Sequence, residues 1–280
     1  MSRTSVFAYP LKIILTVVTL LATVVWIYPF IMTVITSFKT EDEILGNPFA
    51  LPQHLSFDAY TKVWSVLNFG QLMSNSILYA SLGSLLALIL AAFPSYTFSR
   101  FHVLGGRTIF ILLLTTLMLP QQTTLIPLYN VLNQIGLLNT RIGLIIVHAV
   151  YGMPFEMLLL TGFMANMPQE LEAAARVDGC SDFGVLRHII LPLSLPAMAV
   201  GFTLNFIAIW KEFIFALTFL SSQADFPITT GILRLTVSQY FTSFSLPAAA
   251  VIIAQLPIVA LYIIAYRWIT RGLFVGAVKG

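Results

Sequence analysis

The most regular feature of this sequence is a series of long, almost continuously apolar runs separated by short polar segments. An apolar run of about 20 residues is long enough to cross the hydrocarbon layer of a bilayer as a helix. The runs are continuous rather than alternating in polarity, which favours helices over the strands of a membrane barrel. The pattern predicts six spans, at about residues 12–38, 71–99, 107–132, 141–165, 192–221 and 247–269.

Composition supports the same fold class. The chain is 58% hydrophobic and 9% charged, with a mean hydropathy of +0.92, whereas soluble domains carry about 25% charged residues. We therefore expect an all-α integral membrane protein with one transmembrane domain over residues 1–280. The first run is longer than the apolar region of a signal peptide and no A-x-A site follows it, so it is predicted to be a retained span.

The distribution of Lys and Arg predicts the orientation in the membrane. With the N-terminus inside, nine of these residues fall in inner segments, four in outer segments and one, Lys211, within a span. This excess is the positive-inside pattern, and six crossings return the C-terminus to the same side. The inner set is Arg3, Lys12, Arg100, Arg107, Arg176, Arg187, Arg267, Arg271 and Lys279, and the outer set is Lys39, Lys62, Arg141 and Arg234.

The longest predicted outer segment, about residues 39–70, contains two prolines and the acidic cluster Glu41, Asp42 and Glu43. It is either a small folded extracytoplasmic cap or a solvated loop.

One inner segment is far more charged than the rest. In "QELEAAARVDGCSDFGVLRHIILP" (169–192), good helix formers follow Pro168 and two glutamates stand near the expected helix start, where the helix dipole favours acids. Gly179 then permits a turn, and Ser181 or Asp182 can cap a second short helix. The pattern predicts a helix–turn–helix at the membrane surface over residues 168–190, with Leu171, Ala174, Val177, Phe183 and Leu186 available as an apolar contact face.

The same residues resemble a known motif, the EAA loop of permease subunits from binding-protein-dependent ABC importers. Gly179 is followed after nine residues by I-x-L-P, which ends at Pro192, and Asp178–Gly179 resembles the sugar-importer branch. The stretches 118–140, 206–220 and 267–280 are similar to the second, six-span permease of maltose-type importers. The departure is at the motif's glutamate: its position is Ala173 here, and Glu172 stands one residue earlier, about 100° around the helix.

The resemblance implies an ABC importer permease fold whose loop docks on a separate ATPase, with the C-terminal tail at the same interface. Either Glu170 or Glu172 would then replace the displaced glutamate. The residues expected to couple the chain to the ATPase are Glu170, Glu172, Ala173, Ala174, Asp178, Gly179, Phe183, Leu186 and Lys279.

Several polar residues stand within the predicted spans. Gln121, Gln122, Thr123 and Thr124 form a neutral patch between two prolines. Amides, hydroxyls and aromatic faces suit a sugar, but the same groups can repair a proline-broken helix or bond neighbouring helices. The candidates for the substrate path are Gln121, Gln122, Thr123, Tyr151, Asn205, Trp210, Lys211 and Glu212.

The ionisable residues in the spans have open alternatives. Lys211 and Glu212 lie roughly 30 Å beyond Pro192 and either line a wet path, pair between subunits, or snorkel to water. For Glu156, near the inner boundary, a structural partner or headgroup contact is favoured over a substrate role. No metal site is expected, because the four histidines are scattered and Cys180 is the single cysteine.

The chain has no phosphate-binding loop and no recognisable catalytic motif, so we expect a non-catalytic subunit that holds no cofactor. ATP and Mg²⁺ would be bound by partner ATPase subunits. The expected partners are two such subunits, a second permease, an extracytoplasmic solute-binding protein and membrane lipid, without nucleic acid, in a bacterial-type inner membrane. The resemblance implies a carbohydrate solute, a di- or oligosaccharide or a related sugar or polyol, and leaves a monosaccharide or a glycerol-phosphate compound open. The alternatives are a secondary transporter driven by an ion gradient and a membrane-embedded enzyme.

Overall fold

The protein is seen in a computed structural model that describes residues 4–66, 68–237 and 243–277, with side chains described for 12–66, 68–235 and 243–266. Helices dominate the described residues, and no strand occurs among them. The helices are α1 (Thr4–Ser37), α2 (Glu41–Gly46), α3 (Asp58–Val66), α4 (Phe69–Arg100), α5 (Gly106–Thr115), α6 (Gln121–Gln134), α7 (Arg141–Ala165), α8 (Glu170–Val177), α9 (Asp182–Val185), α10 (Leu191–Lys211), α11 (Ile214–Phe219), α12 (Ile228–Val237) and α13 (Ser245–Ala277).

Helices of spanning length lie at the predicted spans, with two corrections. The third span is not one straight helix: it breaks before Pro120, and the segments Gly106–Met118 and Gln121–Gln134 are bent by 106°. Pro120 has no N–H to donate, and a proline disfavours the helical conformation at the residue before it. The fifth span does not run to residue 221, because α10 ends at Lys211 and the extended backbone of Glu212 separates it from α11.

The predicted second helix of the charged inner segment is not a separate element. Ser181 caps α9 by accepting a hydrogen bond from Gly184 N at 3.2 Å. A π-helical stretch, Leu186–Ile190, then joins α9 to α10 without interruption. Asp182–Lys211 is therefore one continuous helical element of 30 residues. The part of the charged segment that follows the turn belongs to the same helix as the next span.

The chain divides into two compact units, one formed by residues up to 68 together with 234–255, and the other by residues 69–233 together with those from 256 onward. In the first unit, the apolar side chains of α1 from Lys12 onward are mostly exposed. The segment that follows is folded rather than a solvated loop. Its packing includes a cluster of Phe38, Phe57 and Tyr60 with ring centroids 5.2–6.2 Å apart, and a buried Lys39 whose Nζ donates to the Asn47 and Pro48 carbonyls.

The acidic cluster of this unit is used for helix capping. Glu43 and Thr40 form a reciprocal capping box at the start of α2. The Glu41 carboxylate accepts hydrogen bonds from Ser243 Oγ at 2.7 Å, Phe244 N at 3.0 Å and Ser245 N at 3.1 Å. Because these donors lie at the N-terminal end of α13, Glu41 satisfies backbone N–H groups that the helix itself leaves unpaired.

The second unit is built on α4, α7 and α10. Small residues of α4, among them Ala80, Gly83, Ala87 and Ala91, lie on its buried face, which lets helix backbones approach closely in a membrane. At Gly83 the packing involves both other helices, because a Cβ there would lie 2.9 Å from Ile209 Cδ1 and 3.1 Å from His148 Cβ. The three helices therefore meet at one level of the unit.

Replacing Glu41 with alanine should weaken the start of α13 by about 1 kcal/mol, the usual cost of losing a helix cap. Burial opposes ionisation of Glu41, but hydrogen bonds from Ser245, Phe244 and Ser243 hold its pKa below the ordinary value of 4.5. The stabilisation is thus complete above pH about 4.5 and is lost as the pH falls through the lowered pKa. Amide hydrogen exchange at Phe244 and Ser245 measures it, and equal exchange in Glu41→Ala and in the exposed control Asp42→Ala would contradict the assignment.

Candidate functional site

The first part of the site is the segment of residues 168–190, here called the coupling segment. Its turn is a Schellman motif: Gly179 N donates to the Arg176 carbonyl at 3.1 Å, and Cys180 N donates to the Ala175 carbonyl at 3.0 Å. Gly179 has a φ of +85°, a left-handed conformation that glycine adopts without steric cost. The predicted helix–turn–helix is therefore present, with Gly179 as the residue that makes the turn.

Glu172 lies on the inner side of the coupling segment, with 2% of its surface exposed. Its carboxylate pairs with Arg100 at the end of α4, and also accepts from Tyr96 Oη and Arg176 Nη2, each at 3.4 Å. Arg100 Nη2 donates in addition to the Met167 carbonyl at 3.0 Å. These contacts fasten α8 to the end of α4 within the chain, so Glu172 is engaged internally.

The outer side of the coupling segment is a mixed polar and apolar surface. Glu170, Ala173, Ala174 and Asp178 are exposed, and the exposed apolar side chains are Leu171, Val177 (87% exposed) and Phe183.

Leu186 does not belong to this surface. It is 2% exposed and packs in the core cluster with residues such as Leu160, Met164 and Ile190. Phe183 remains exposed but stacks on Phe93 of α4, with ring centroids 6.2 Å apart. Lys279 lies outside the described residues.

A hydrogen bond to Asp182 keeps the pKa of Arg176 above its ordinary value, so the charge of Arg176 does not change at physiological pH. Arg176 Nη2 lies 3.1 Å from Asp182 Oδ1 and also reaches Glu172. It thereby joins α8 to the start of α9 across the turn.

The second part of the site is a cavity of about 490 Å³ between α6, α7, α10 and α11. Four of the eight substrate-path candidates line it: Gln121, Tyr151, Asn205 and Glu212. The remaining lining residues are His148, Gly152, Phe155, Leu204, Ala208, Ile209 and Phe215.

The other four candidates lie elsewhere. Gln122 and Thr123 are exposed on α6, and the Thr123 hydroxyl donates to the Pro120 carbonyl. Trp210 is buried against Phe206, with ring centroids 5.6 Å apart, and Lys211 is exposed at the end of α10. None of the four lines the cavity.

Both helix breaks open onto this cavity. Gln121 is the first residue of α6 after the Pro120 break, and Glu212 occupies the break between α10 and α11. There, Glu212 Oε1 accepts from Phe215 N at 2.8 Å, whereas Oε2 is buried without a hydrogen-bond partner. Asn205, 6% exposed, likewise has an amide nitrogen without a partner. Asn205 and Glu212, each with one buried polar atom that has no hydrogen-bond partner, thus line the cavity together with Tyr151, Phe155 and Phe215.

His148, Phe155 and Phe215 were not among the sequence candidates, although a periodicity signal existed for two of them. His148, Tyr151, Gly152 and Phe155 follow the i, i+3, i+4, i+7 spacing of one helix face. Phe215 follows the break after α10, and its side chain reaches Tyr151 with ring centroids 4.9 Å apart. The apolar pattern of the sequence does not reveal this break, so it gave no signal for Phe215.

Comparison with known proteins matches the same part of the chain. The family of the binding-protein-dependent transport system inner membrane component covers residues 83–275. The chain belongs to this family. The match includes the coupling segment and every residue that lines the cavity.

Similar proteins agree with this assignment. The diacetylchitobiose uptake system permease protein NgcG of Streptomyces coelicolor is 30% identical over 261 residues, covering 93% of this chain and 86% of that protein. A putative ABC transporter permease protein of a Caldicellulosiruptor species is 34% identical over 269 residues, covering 96% of each. The expected sugar-importer permease family is confirmed.

The fold also has a solved counterpart. A chain in the crystal structure of a bacterial ABC transporter involved in the import of the acidic polysaccharide alginate superposes with a TM-score of 0.81 at 23% identity. The match covers 95% of this chain and 98% of that chain. The expected all-α permease fold is confirmed.

Replacing Glu172 with alanine should loosen the coupling segment, because breaking a buried ion pair costs about 3–5 kcal/mol by leaving Arg100 uncompensated. We expect trypsin to cleave after Arg176 or Arg187 in inverted vesicles at least about tenfold faster, since cleavage follows the population of the opened segment. The exposed Glu170→Ala is the matched control. Equal cleavage rates in the two variants would show that Glu172 does not hold the segment.

Proposed function

We propose that this chain is the permease subunit of an ATP-driven importer and forms half of the translocation path for a carbohydrate. The observation that carries the proposal is the cavity between two interrupted helices. Interrupted membrane helices are how transporters place unpaired backbone and polar side chains around a solute within the bilayer. The family membership supports the same function, since its members belong to binding-protein-dependent transport systems.

The cavity chemistry and the relatives favour a carbohydrate. Asn205 offers an amide donor, Glu212 a carboxylate acceptor, and Phe155 and Phe215 offer aromatic faces. Hydroxyl groups both donate and accept, and the apolar faces of sugar rings pack on aromatic side chains. The relative named for diacetylchitobiose uptake points to a di- or oligosaccharide, and a related polyol has the same hydroxyl chemistry.

The coupling segment is the proposed contact for the ATPase. Leu171, Val177 and Phe183 offer apolar surface, and the neighbouring Glu170, Ala173, Ala174 and Asp178 are exposed with them. Glu172 contributes indirectly by fastening the segment to Arg100, so that Glu170 is the glutamate left free for the partner. Gly179 sets the turn, and Lys279 of the tail would add a charge at the same interface.

The remaining partners follow from the orientation given by the positive charges. The excess of Lys and Arg in the loops on one side supports an orientation with both termini and the coupling segment in the cytoplasm. Two ATPase subunits would dock there, with ATP and Mg²⁺ bound in them. A second permease completes the path, lipid surrounds the apolar helices, and an extracytoplasmic solute-binding protein meets the folded outer segment 39–66. A solved alginate importer is described in complex with a ligand-bound periplasmic protein.

Affinity purification of the tagged chain from its native membrane tests the proposal. We expect ATPase subunits and a second permease to co-purify with the chain. The complex should accumulate a neutral disaccharide in liposomes only when ATP is present. Maltose and diacetylchitobiose are the two probes. A secondary transporter is the alternative function. If the isolated chain accumulated the disaccharide in response to an ion gradient, that result would support a secondary transporter and overturn the ATP-driven hypothesis.

Replacing Val177 with aspartate should weaken ATPase co-purification by at least about tenfold, because it puts a charge into a desolvated docking surface. Val177 is 87% exposed, so the folded chain is not expected to change. Leu104→Asp is the matched control, since Leu104 is an exposed apolar residue in another predicted inner loop. Retention of the ATPase by the Val177 variant, or equal loss in the control, would exclude this face as the docking surface.

Replacing Gln121 with alanine should raise the KM for uptake about five- to tenfold, as expected for one lost hydrogen bond of about 1 kcal/mol. Gln121 lines the cavity, whereas its neighbour Gln122 does not. Gln122→Ala should therefore keep the wild-type KM, measured by initial uptake rates of the accumulated probe. A larger effect in Gln122→Ala than in Gln121→Ala would place the path outside this cavity.

A further inference from the structure

Two polar side chains are inserted between α7 and α10, each against a glycine of the other helix. A Cβ at Gly201 would lie within 3.0 Å of both the carboxyl carbon and an oxygen of Glu156. A Cβ at Gly152 would lie within 3.0 Å of the Asn205 side-chain amide. Real Cβ atoms essentially never approach other atoms so closely, so each side chain fills the space that the opposing glycine leaves.

The two contacts set the axial register of the helices. Gly152 and Glu156 are one turn apart on α7, and Gly201 and Asn205 are one turn apart on α10. Because Gly152 faces Asn205 and Glu156 faces Gly201, the helices run in opposite directions and the contacts lie about 6 Å apart. Sliding either helix would drive both polar side chains out of the glycine notches and into neighbouring side chains, so the pair resists axial movement.

This double contact lies between the two parts of the site. On its cytoplasmic side, Leu160 of α7 and Ala197 of α10 belong to the core cluster that also holds Ala175, Val185 and Leu186 of the coupling segment. On its other side, Gly152 and Asn205 line the cavity. Both helices adjoin the coupling segment, so movement that either helix carries toward the cavity passes the level of the double contact.

Glu156 acts there by its shape. It is fully buried, and neither carboxyl oxygen has a hydrogen-bond partner among the described residues. Glu156 does not line the cavity. An ion pair therefore does not explain the position of Glu156. Its fit into the space left by Gly201 does.

We propose that Glu156, seated in the Gly201 notch, is a positioning residue that locks α7 and α10 into one lever and so delivers movement of the coupling segment to the cavity. The inference rests on the proposed ATP-driven function. Beyond that function, it specifies the place in the fold at which the motion is transmitted. It also requires that α7 and α10 keep the same axial register throughout the transport cycle.

The test measures movement at the cavity without any solute. Cys180→Ser removes the only cysteine, and Ala208→Cys places one in the cavity lining. In the purified complex, trapping the ATPase with ATP and vanadate should change the reaction rate of this cysteine with a charged methanethiosulfonate. Adding Gly201→Ala should reduce this ATP-dependent change in reaction rate about tenfold, because an added methyl group overpacks the crossing and disturbs the double contact. ATP hydrolysis should continue.

Rescue and control variants separate positioning from general damage. Glu156→Ala in the Gly201→Ala background empties the notch and should restore the ATP-dependent change, and Glu156→Gln alone should behave as wild type because it keeps the shape. Gly162→Ala on α7 is the matched control, since a Cβ there meets nothing within 4 Å. An undiminished response in Gly201→Ala, or no recovery in the double variant, would overturn the proposal.

A second measurement covers the case in which Gly201→Ala does not assemble. Glu156→Cys with Gly201→Cys, in the Cys180→Ser background, can be oxidised to a disulfide across the crossing. Uptake of the accumulated probe disaccharide should stay within about twofold of the reduced form, because a rigid lever needs no sliding. Loss of uptake on oxidation, with recovery on reduction, would show that the helices slide and would refute the lever. A wild-type complex without ATP hydrolysis would instead refute the proposed function.

Discussion

The close approach of α4, α7 and α10 is the constraint on which the rest of the structure depends. In a bilayer, apolar side chains gain little by leaving lipid for protein, so helices associate through dense packing and interhelical polar contacts. Gly83, Gly152 and Gly201 allow that density, since a Cβ at each would meet a neighbouring helix. Because packed interiors transmit displacement rather than absorb it, the same density lets movement at one end of the unit reach the other.

Two interruptions in this rigid frame create the cavity. A continuous helix leaves no free backbone groups and offers little room for a polar solute. At the Pro120 break the chain bends by 106° ahead of Gln121, and beyond the break at Glu212 the ring of Phe215 meets Tyr151. The carboxylate of Glu212 satisfies one of the N–H groups that the second break exposes. The cavity thus lies where the regular pattern of the spans fails.

The coupling segment shows how one residue shift in a motif changes a role. With the motif's glutamate position occupied by Ala173, the glutamate at 172 falls on the side of α8 that faces Arg100 and Tyr96. It stabilises the segment from within, and the exposed side is left to Glu170 and the apolar residues. The motif indicates a role for the segment as a whole, but the helix phase decides what each of its side chains contacts.

The sequence by itself determined the fold class, the approximate positions of the long apolar segments and the family, because apolar run length and the Gly-to-Pro spacing are properties of the chain read in order. It also located the turn at Gly179 and four residues of the cavity. The tertiary structure alone decided which polar residues meet: Arg100 and Glu172 are 72 positions apart, and Glu156 and Gly201 lie on different spans. It also decided that Leu186 is core and that Lys211 lies outside the cavity. These facts depend on helix phase and on the angles at two breaks, which hydrophobic periodicity does not encode.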